Sequence, residues 1–251
     1  MREVVGIVGY GRFGRLWASI LAPHFDVLVT DTVEQPEPNF VSLEVLCARA
    51  ATVFLCVPIN QFDDVVQSIA PLIRPHTVVL DTCSVKEHPA RIMTERLSGI
   101  EDVTLIATHP MFGPDSAARG IQGLPMVLWR LHGSELQFDR WKSLFAEVGI
   151  RIVQMSPEEH DRLAAYSQGV THYIGRVLQQ LQLEPTPIDT AGFKILCSLV
   201  EQTCNDSWEL FQDLQTYNGY TPEMRTRIEQ ALESMNEVLR RAGPVRPDMP
   251  D

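Results

Sequence analysis

One histidine is followed by a segment that would hold its ring in a fixed position. His109 precedes Pro110-Met111-Phe112-Gly113-Pro114, a rigid turn that comes directly after a predicted strand. At the end of such a strand an imidazole faces a ligand crevice rather than the core. Because the ordinary pKa of histidine is about 6.5, this side chain suits proton transfer near neutral pH. The sequence therefore predicts His109 as a general base, with a structural histidine as the alternative.

A serine follows the predicted strand that precedes His109 in the chain. Ser84 opens the sequence Ser-Val-Lys-Glu, which has the spacing of a helix capping box. The pattern predicts that Ser84 caps a helix. A cap is compatible with a hydroxyl that orients reacting groups, so Ser84 is also a candidate catalytic residue.

Near the N-terminus lies a glycine pattern that suits a dinucleotide. The pattern comprises Gly9, Tyr10, Gly11, Arg12, Phe13 and Gly14. It separates a predicted strand from a predicted helix that runs to about Ala22. In that context the first glycine allows a tight turn, the second lets the backbone approach a pyrophosphate, and the third allows close packing. Glycines that serve only a turn are the alternative.

The second predicted strand ends at an acidic residue that bears on the choice of coenzyme. A carboxylate at Asp31 accepts hydrogen bonds from the adenosine ribose and repels a 2′-phosphate, which favours NAD over NADP. A plain helix cap is the alternative. Two later strand ends should line the same crevice, because parallel strands end at one edge of a sheet. They contain Cys56, Val57, Pro58, Thr82 and Cys83.

The chain has two parts with different secondary-structure patterns. Short β-branched runs alternate with helical patterns up to about residue 153, which indicates βαβ units and a mostly parallel sheet. The predicted strands are Val4 to Val8, Val27 to Thr30, Val53 to Val57, Val78 to Leu80, Leu105 to Thr108, Met126 to Trp129 and Ile150 to Val153. From Ser156, which opens a Ser-Pro-Glu-Glu helix start, only helical patterns follow. We therefore predict a Rossmann-type α/β domain over 1–155, a smaller all-helical domain over 156–242 and a mobile tail over 243–251.

The composition is that of an ordinary globular chain. Hydrophobic residues make up 45% and charged residues 21% of the 251 residues, which excludes a disordered or fibrous protein. The net charge of −11 disfavours a nucleic-acid partner. No apolar run approaches the ~18 residues of a membrane span, and no cleavable signal opens the chain, so we expect a cytoplasmic protein without a membrane partner. The five cysteines lack a C-x-x-C pair, so no metal site is expected.

Several segments, taken in order, resemble the prephenate and arogenate dehydrogenases of tyrosine biosynthesis. They are Asp81-Thr82-Cys83-Ser84-Val85-Lys86-Glu87-His88-Pro89, Ala107-Thr108-His109-Pro110-Met111-Phe112-Gly113-Pro114, Glu159-His160-Asp161 and Ser167-Gln168-Gly169-Val170-Thr171-His172. Two more, Thr186-Pro187-Ile188-Asp189-Thr190 and Asp206-Ser207-Trp208-Glu209-Leu210, look like the plant-type arogenate dehydrogenases. The resemblance covers about residues 3–220.

The resemblance implies an activity and a set of site residues. The reaction is an oxidative decarboxylation with hydride transfer to NAD, in which His109 is the base and Ser84 supports it. The residues implied to face the substrate are Ser116, Gln168, Thr190 and Asp206. His172 is interpreted as a satisfied core histidine, with a supporting place behind the substrate as the alternative. A homodimer formed through the helical domain is also implied.

Asp206 decides which substrate we expect. On a continuous helix Leu199, Thr203, Asp206 and Leu210 share one face, which predicts a buried carboxylate in an apolar stripe. Such a group needs a partner, which is either a neighbouring protein group or the substrate. Arogenate carries an ammonium group where prephenate carries a keto group, and an acid here resembles the arogenate-specific pattern. We therefore expect arogenate.

Three other functions remain open. Prephenate dehydrogenase, giving 4-hydroxyphenylpyruvate, is the first. A different NAD-dependent hydroxyacid dehydrogenase or an imine reductase would share the scaffold without needing the motif around His109. A non-enzymatic NAD-binding regulator would bind NAD and turn over neither cyclohexadienol.

Overall fold

A computed structural model describes residues 2–242 and has the predicted alternation of strands and helices, followed by helices alone. The strands are β1 (Val4–Val8), β2 (Asp26–Thr30), β3 (Thr52–Leu55), β4 (Val78–Asp81), β5 (Thr104–Pro110), β6 (Pro125–His132) and β7 (Arg151–Gln154). The α-helices are α1 (Arg12–Leu21), α2 (Leu43–Arg49), α3 (Phe62–Ile69), α4 (Glu87–Leu97), α5 (Pro114–Ala117), α6 (Glu135–Glu147), α7 (Pro157–Ala164), α8 (Val170–Gln180), α9 (Ala191–Cys204), α10 (Trp208–Tyr217) and α11 (Thr221–Ala242). The tail predicted over 243–251 lies outside the described residues.

All seven strands form one sheet in the order β2-β1-β3-β4-β5-β6-β7. Every pair is parallel except β5 with β6, which are antiparallel. Between those two strands the chain forms only the four-residue helix α5, which is too short for a parallel crossover. The register pairs Val8 with Leu55 and Leu55 with Asp81. The carboxyl ends of β1, β3 and β4 are therefore level, and the loops that follow them are neighbours.

Helices cover both faces of the sheet. On one face α1 and α6 bury an aromatic cluster, in which Phe54 meets Trp141 edge to face with ring centroids 5.1 Å apart. On the other face α2, α3 and α4 bury Leu46, Phe62 and Met93 completely. This doubly wound sandwich is the predicted Rossmann-type fold, and it gives the strand ends a rigid base.

Only helices follow β7 in the described chain, starting with α7. The Ser156 hydroxyl accepts a hydrogen bond from the Glu159 N–H at 3.2 Å and caps α7. A π-helical turn, Ala165–Gly169, then joins α7 to α8. The proposed boundary at residue 155 falls between β7 and α7. No helix within residues 2–242 is both long and apolar enough to cross a membrane.

Candidate active site

The glycine-rich loop packs against the loop that follows β3. Gly9 has φ +95°, and a Cβ atom there would lie 2.3 Å from the carbonyl oxygen of Cys56. A Cβ atom at Gly14 would lie 2.0 Å from the carbonyl oxygen of Gly9. Both positions therefore require glycine, one for the turn and the other for the close approach of α1.

The same loop leaves the N-terminus of α1 open. Gly11 is the N-cap residue, makes no side-chain cap, and a Cβ atom on it would meet nothing within 4 Å. No acidic residue stands in the first turn of α1, so its first N–H groups and the positive end of the helix dipole are available to an anion. The residues present thus fit the pyrophosphate of a dinucleotide. The side chain of Phe13 serves the core instead, because it stacks on Trp17 at 5.7 Å.

Asp31 lies beside this loop at the end of β2. One carboxylate oxygen accepts a hydrogen bond from the Tyr10 N–H at 2.5 Å, and the other accepts one from the Thr32 hydroxyl at 3.1 Å. The carboxylate therefore fixes the loop as well as placing a negative charge at the strand end. The Arg15 guanidinium lies over the ring of Tyr10, with its Cζ atom 4.4 Å from the ring centroid.

The two cysteines of the crevice are neutral. Burial raises the pKa of Cys56 to about 12 and raises the pKa of Cys83 well above its ordinary value. Their neutral thiols therefore line the crevice and do not act as nucleophiles. Thr82 donates its hydroxyl to the carbonyl of Leu55 at 3.0 Å, which joins the ends of β3 and β4. Pro58 is exposed at the rim.

A buried ion pair joins the ends of β4 and β5. The Lys86 ammonium donates to the Asp81 carboxylate and to the carbonyl of Thr108, and both charged side chains are at most 1% exposed. The Thr108 N–H donates to the other oxygen of Asp81 at 2.9 Å. These bonds hold the residue before His109 against the residues that follow β4.

His109 is 2% exposed and contacts a second histidine from the helical part. Its Nδ1 lies 2.8 Å from Nε2 of His160, and Nδ1 of His160 lies 2.8 Å from the Asp161 carboxylate. Burial, then the His160 ring, then the Lys86 ammonium hold the pKa of His109 well below 6.5. The imidazole is therefore neutral near pH 7, as a general base must be.

The predicted cap by Ser84 is wrong. Helix α4 begins at Glu87, and its N-cap position is Lys86, without a side-chain cap of its own. The capping acceptor is instead the Asp161 carboxylate, which receives the Lys86 N–H at 2.7 Å and the Glu87 N–H at 2.9 Å. Ser84 is partly exposed, and its hydroxyl makes no hydrogen bond to the described residues.

Gln168 and His172 lie four residues apart on one helical face. Within residues 2–242, Oε1 of Gln168 and Nδ1 of His172 are buried without a hydrogen-bond partner. Unpaired buried polar atoms are costly, so this face is suited to a polar ligand. The interpretation of His172 as a satisfied core histidine is wrong, since it is 8% exposed yet lacks a partner at Nδ1.

The structure corrects the placement of Asp206. Helix α9 ends at Cys204, and Ser207 caps α10 by accepting the Leu210 N–H at 3.1 Å, so Asp206 lies in a turn. Its side chain is 35% exposed, and Oδ2 lies 3.9 Å from Nε2 of His172. The carboxylate is therefore neither on a helix nor in an apolar stripe, but it does lie beside His172.

Ser116 and Thr190 have local roles. The Ser116 hydroxyl bonds to the N–H and the carbonyl of Gly113, at 2.9 and 3.1 Å. Thr190 caps α9 by accepting the Phe193 N–H at 3.2 Å. Both are exposed, and in the described chain neither hydroxyl bonds to Gln168, His172 or Asp206.

Three segments meet at Asp115. Its carboxylate accepts from the Arg12 guanidinium at 2.8 Å and from the Asn205 side chain at 2.5 Å. This bridge joins the start of α1, helix α5 and the turn that holds Asp206. No sequence signal indicates this role of Asp115, and His160 and Asp161 enter only through the family resemblance.

Arg176 is a further residue without a sequence signal. It is 8% exposed, donates to the backbone carbonyl of Asp206 at 2.6 Å and lies over the rings of Trp208 and Phe211. It thereby fixes the turn that carries Asp206. No group of three or more metal-ligating side chains occurs within residues 2–242.

Two family models match the chain. One, described as prephenate dehydrogenase, nucleotide-binding domain, matches residues 41–154, and one described as TYRAAT1-like, C-terminal domain, matches residues 177–244. A solved structure with a similar fold is prephenate dehydrogenase from A. aeolicus in complex with hydroxyphenyl propionate and NAD+. It has a TM-score of 0.73 at 18% identity and covers 97% of this chain and 93% of that one.

Two relatives from Arabidopsis thaliana are similar over most of the chain. Arogenate dehydrogenase 1, chloroplastic, is 34% identical over 95% of this chain, which spans 39% of that relative's length. Arogenate dehydrogenase 2, chloroplastic, is 32% identical over 94% of this chain, which spans 69% of that relative. The strand ends, the motif around His109 and these matches agree, and the chain belongs to the family of prephenate and arogenate dehydrogenases.

Proposed function

We propose that the chain oxidises and decarboxylates arogenate to tyrosine, with NAD as the hydride acceptor. The observation that carries this proposal is the placement of His109. Its ring is buried at the end of β5, its Nδ1 is held by His160, and its Nε2 has no hydrogen bond to the described residues. An imidazole held at one nitrogen and free at the other is arranged for general-base catalysis. The two Arabidopsis relatives named arogenate dehydrogenases support the substrate class.

In the proposed reaction His109 accepts the proton of the ring hydroxyl while the carbinol C–H bond breaks and its electron pair leaves as hydride. When bound, the nicotinamide coenzyme supplies the acceptor for that hydride. The bond between the ring and its carboxylate then breaks, CO₂ leaves, and the freed electron pair completes the aromatic ring. His109 returns its proton to the phenolate oxygen, so the base is regenerated. Ser84, whose hydroxyl has no partner among the described residues, orients the substrate hydroxyl and the imidazole.

We assign the coenzyme to the crevice at the strand ends. The backbone of Gly9 to Gly14 and the N-terminus of α1 would hold the pyrophosphate, and Asp31 would receive the adenosine ribose. Cys56, Val57, Pro58, Thr82 and Cys83 would form the wall beneath the nicotinamide half. The A. aeolicus structure, a complex with NAD+, supports a nicotinamide coenzyme in this fold.

We place the substrate between His109 and the face of Gln168 and His172. By the family resemblance we also assign Asp206, Ser116 and Thr190 to the substrate. The Asp206 carboxylate would pair with the ammonium group of arogenate, in the position where it now faces His172 at 3.9 Å.

A prediction for the base concerns its pH dependence. The groups that face His109 are His160 and Asp161 from α7 and the paired Lys86 and Asp81. Because the pKa of His109 is held well below 6.5, the ring stays unprotonated as the pH falls through that value. We expect kcat/KM for arogenate to stay level through pH 6.5 and to decline only at lower pH.

The variant His109→Asn should lower kcat by roughly 10²- to 10⁴-fold and leave NAD affinity unchanged, as measured by fluorescence titration. An acid limb centred at 6.5 in the wild type, or a fully active Asn variant, would contradict the role of His109.

For the coenzyme we expect NAD to support a higher kcat/KM than NADP. Asp31→Asn keeps an oxygen that can accept the Tyr10 N–H and removes the charge that repels a 2′-phosphate. It should therefore lower the ratio of kcat/KM with NAD to kcat/KM with NADP. Glu34→Gln removes a charge from the same loop and should leave the ratio unchanged. NADP-linked activity equal to the NAD-linked activity in the wild type would refute the preference.

For the substrate we expect arogenate over prephenate. A charge-assisted hydrogen bond of about 1.5 to 3 kcal/mol corresponds to roughly 10- to 150-fold discrimination in kcat/KM. Asp206→Asn should therefore shift the ratio toward prephenate by about that factor, whereas Glu201→Gln, on the preceding helix, should not. An unchanged ratio in the Asn variant would mean that the carboxylate serves the fold alone.

We also propose a homodimer formed through the helical part. Residues 229–242 of α11 are all exposed, and Leu232, Met235 and Leu239 form an apolar stripe with exposures of 58 to 63%. A segment of that length is marginal as an isolated helix in water. The same segment of a second copy offers a matching stripe, and helix α9 adds Ile195 at 69% exposure.

Sedimentation should give about twice the chain mass of 28.3 kDa. Leu232→Glu should shift the protein toward monomer, because it places a charge in the stripe, while Ser234→Glu on the opposite side should not. A monomeric wild type at micromolar concentration would contradict the proposal.

A further inference from the structure

A chain of three buried side chains stands behind His109. His109 and His160 are each 2% exposed and Asp161 is fully buried. The two contacts that connect them are each 2.8 Å long. Because these groups are buried, the pattern of donors and acceptors along the chain decides where the protons lie.

Asp161 fixes the direction of the first bond. Its carboxylate already receives two backbone N–H groups, from Lys86 at 2.7 Å and from Glu87 at 2.9 Å. Two N–H donors favour the carboxylate form, and a carboxylate only accepts hydrogen bonds. Nδ1 of His160 must therefore carry a hydrogen and donate it to Asp161.

The second bond follows from the first. A neutral His160 ring has one N–H and one lone pair, so when its hydrogen is on Nδ1 its Nε2 is left as an acceptor. His109 must then donate from Nδ1. A neutral His109 ring with its hydrogen on Nδ1 has its lone pair on Nε2, the nitrogen that has no hydrogen bond to the described residues.

We propose that His160 and Asp161 are positioning residues that hold His109 in the Nδ1–H tautomer and so select Nε2 as the basic atom. This inference rests on the proposed function for the reaction in which Nε2 acts. When Nε2 takes the proton of the substrate hydroxyl, the O–H bond breaks, the Nε2–H bond forms and the ring becomes an imidazolium. Its Nδ1–H still donates to His160, and the Asp161 carboxylate at the end of the chain offsets the new charge.

His160 and Asp161 also bear on the positive charge of Lys86, which opposes protonation of His109. The Lys86 ammonium lies near His109 and disfavours an imidazolium, but it is paired with Asp81 in the same buried cluster. Asp161 is thus the carboxylate of this cluster that is connected to the base through hydrogen bonds.

Nitrogen chemical shifts of protein labelled with ¹⁵N-histidine report the tautomer of His109 directly. His109→Asn identifies its signals by their loss. We expect the Nδ1–H form in the wild type. His160→Gln offers a side-chain carbonyl that can accept the His109 Nδ1–H and should keep that form, whereas His160→Leu removes the acceptor and should give the Nε2–H form or a mixture. His24→Leu, at an exposed site, should change nothing.

Kinetics supply the second readout. His160→Leu should lower kcat by roughly 10²-fold or more, His160→Gln should recover part of that loss, and both should bind NAD as the wild type does. The Nε2–H form in the wild type, or an unchanged tautomer and kcat in His160→Leu, would overturn the inference. A wild type that turns over neither arogenate nor prephenate would refute the proposed function instead, because the tautomer of the free protein is decided without any turnover.

Discussion

The buried carboxylate of Asp161 is the constraint on which the rest of the site depends. It receives the first N–H groups of α4, and through His160 it reaches the imidazole at the end of β5. A buried charge is stable only when its hydrogen bonds are complete. The sheet and the helical part are therefore held in one relative position, in which the His109 imidazole lies beside the strand ends.

The exposed contacts around the site are weaker than the buried ones. The bridge from Arg12 through Asp115 to Asn205 lies at the surface, and the side chains of its ion pair are 59% and 60% exposed. Exposed pairs of this kind contribute little to stability. The pair of Lys86 and Asp81 and the contacts behind His109 are buried, so breaking the exposed bridge leaves them intact.

Local sequence patterns predict the strands and the glycine-rich loop. Several features of the site depend instead on contacts between residues far apart in the chain. The seven strands and the glycine-rich loop follow from short-range periodicity and turn chemistry, and each lies within a few residues of its predicted position. Ser84 has the spacing of a cap, but the acceptor for α4 comes from Asp161, 75 residues away. The contact of His109 with His160 spans 51 residues, so no local signal reveals it. The prediction that Asp206 lies on a continuous helix is wrong, because the residues Asn205 to Ser207 favour a turn and a new helix cap.

We propose that these residues form the site of an oxidative decarboxylation with a nicotinamide coenzyme. The most direct test is a product balance for the purified wild-type protein with NAD, given arogenate or prephenate in parallel. We expect equal amounts of NADH, CO₂ and tyrosine from arogenate, formed faster than the corresponding products from prephenate. Absence of NADH formation with both compounds would contradict it.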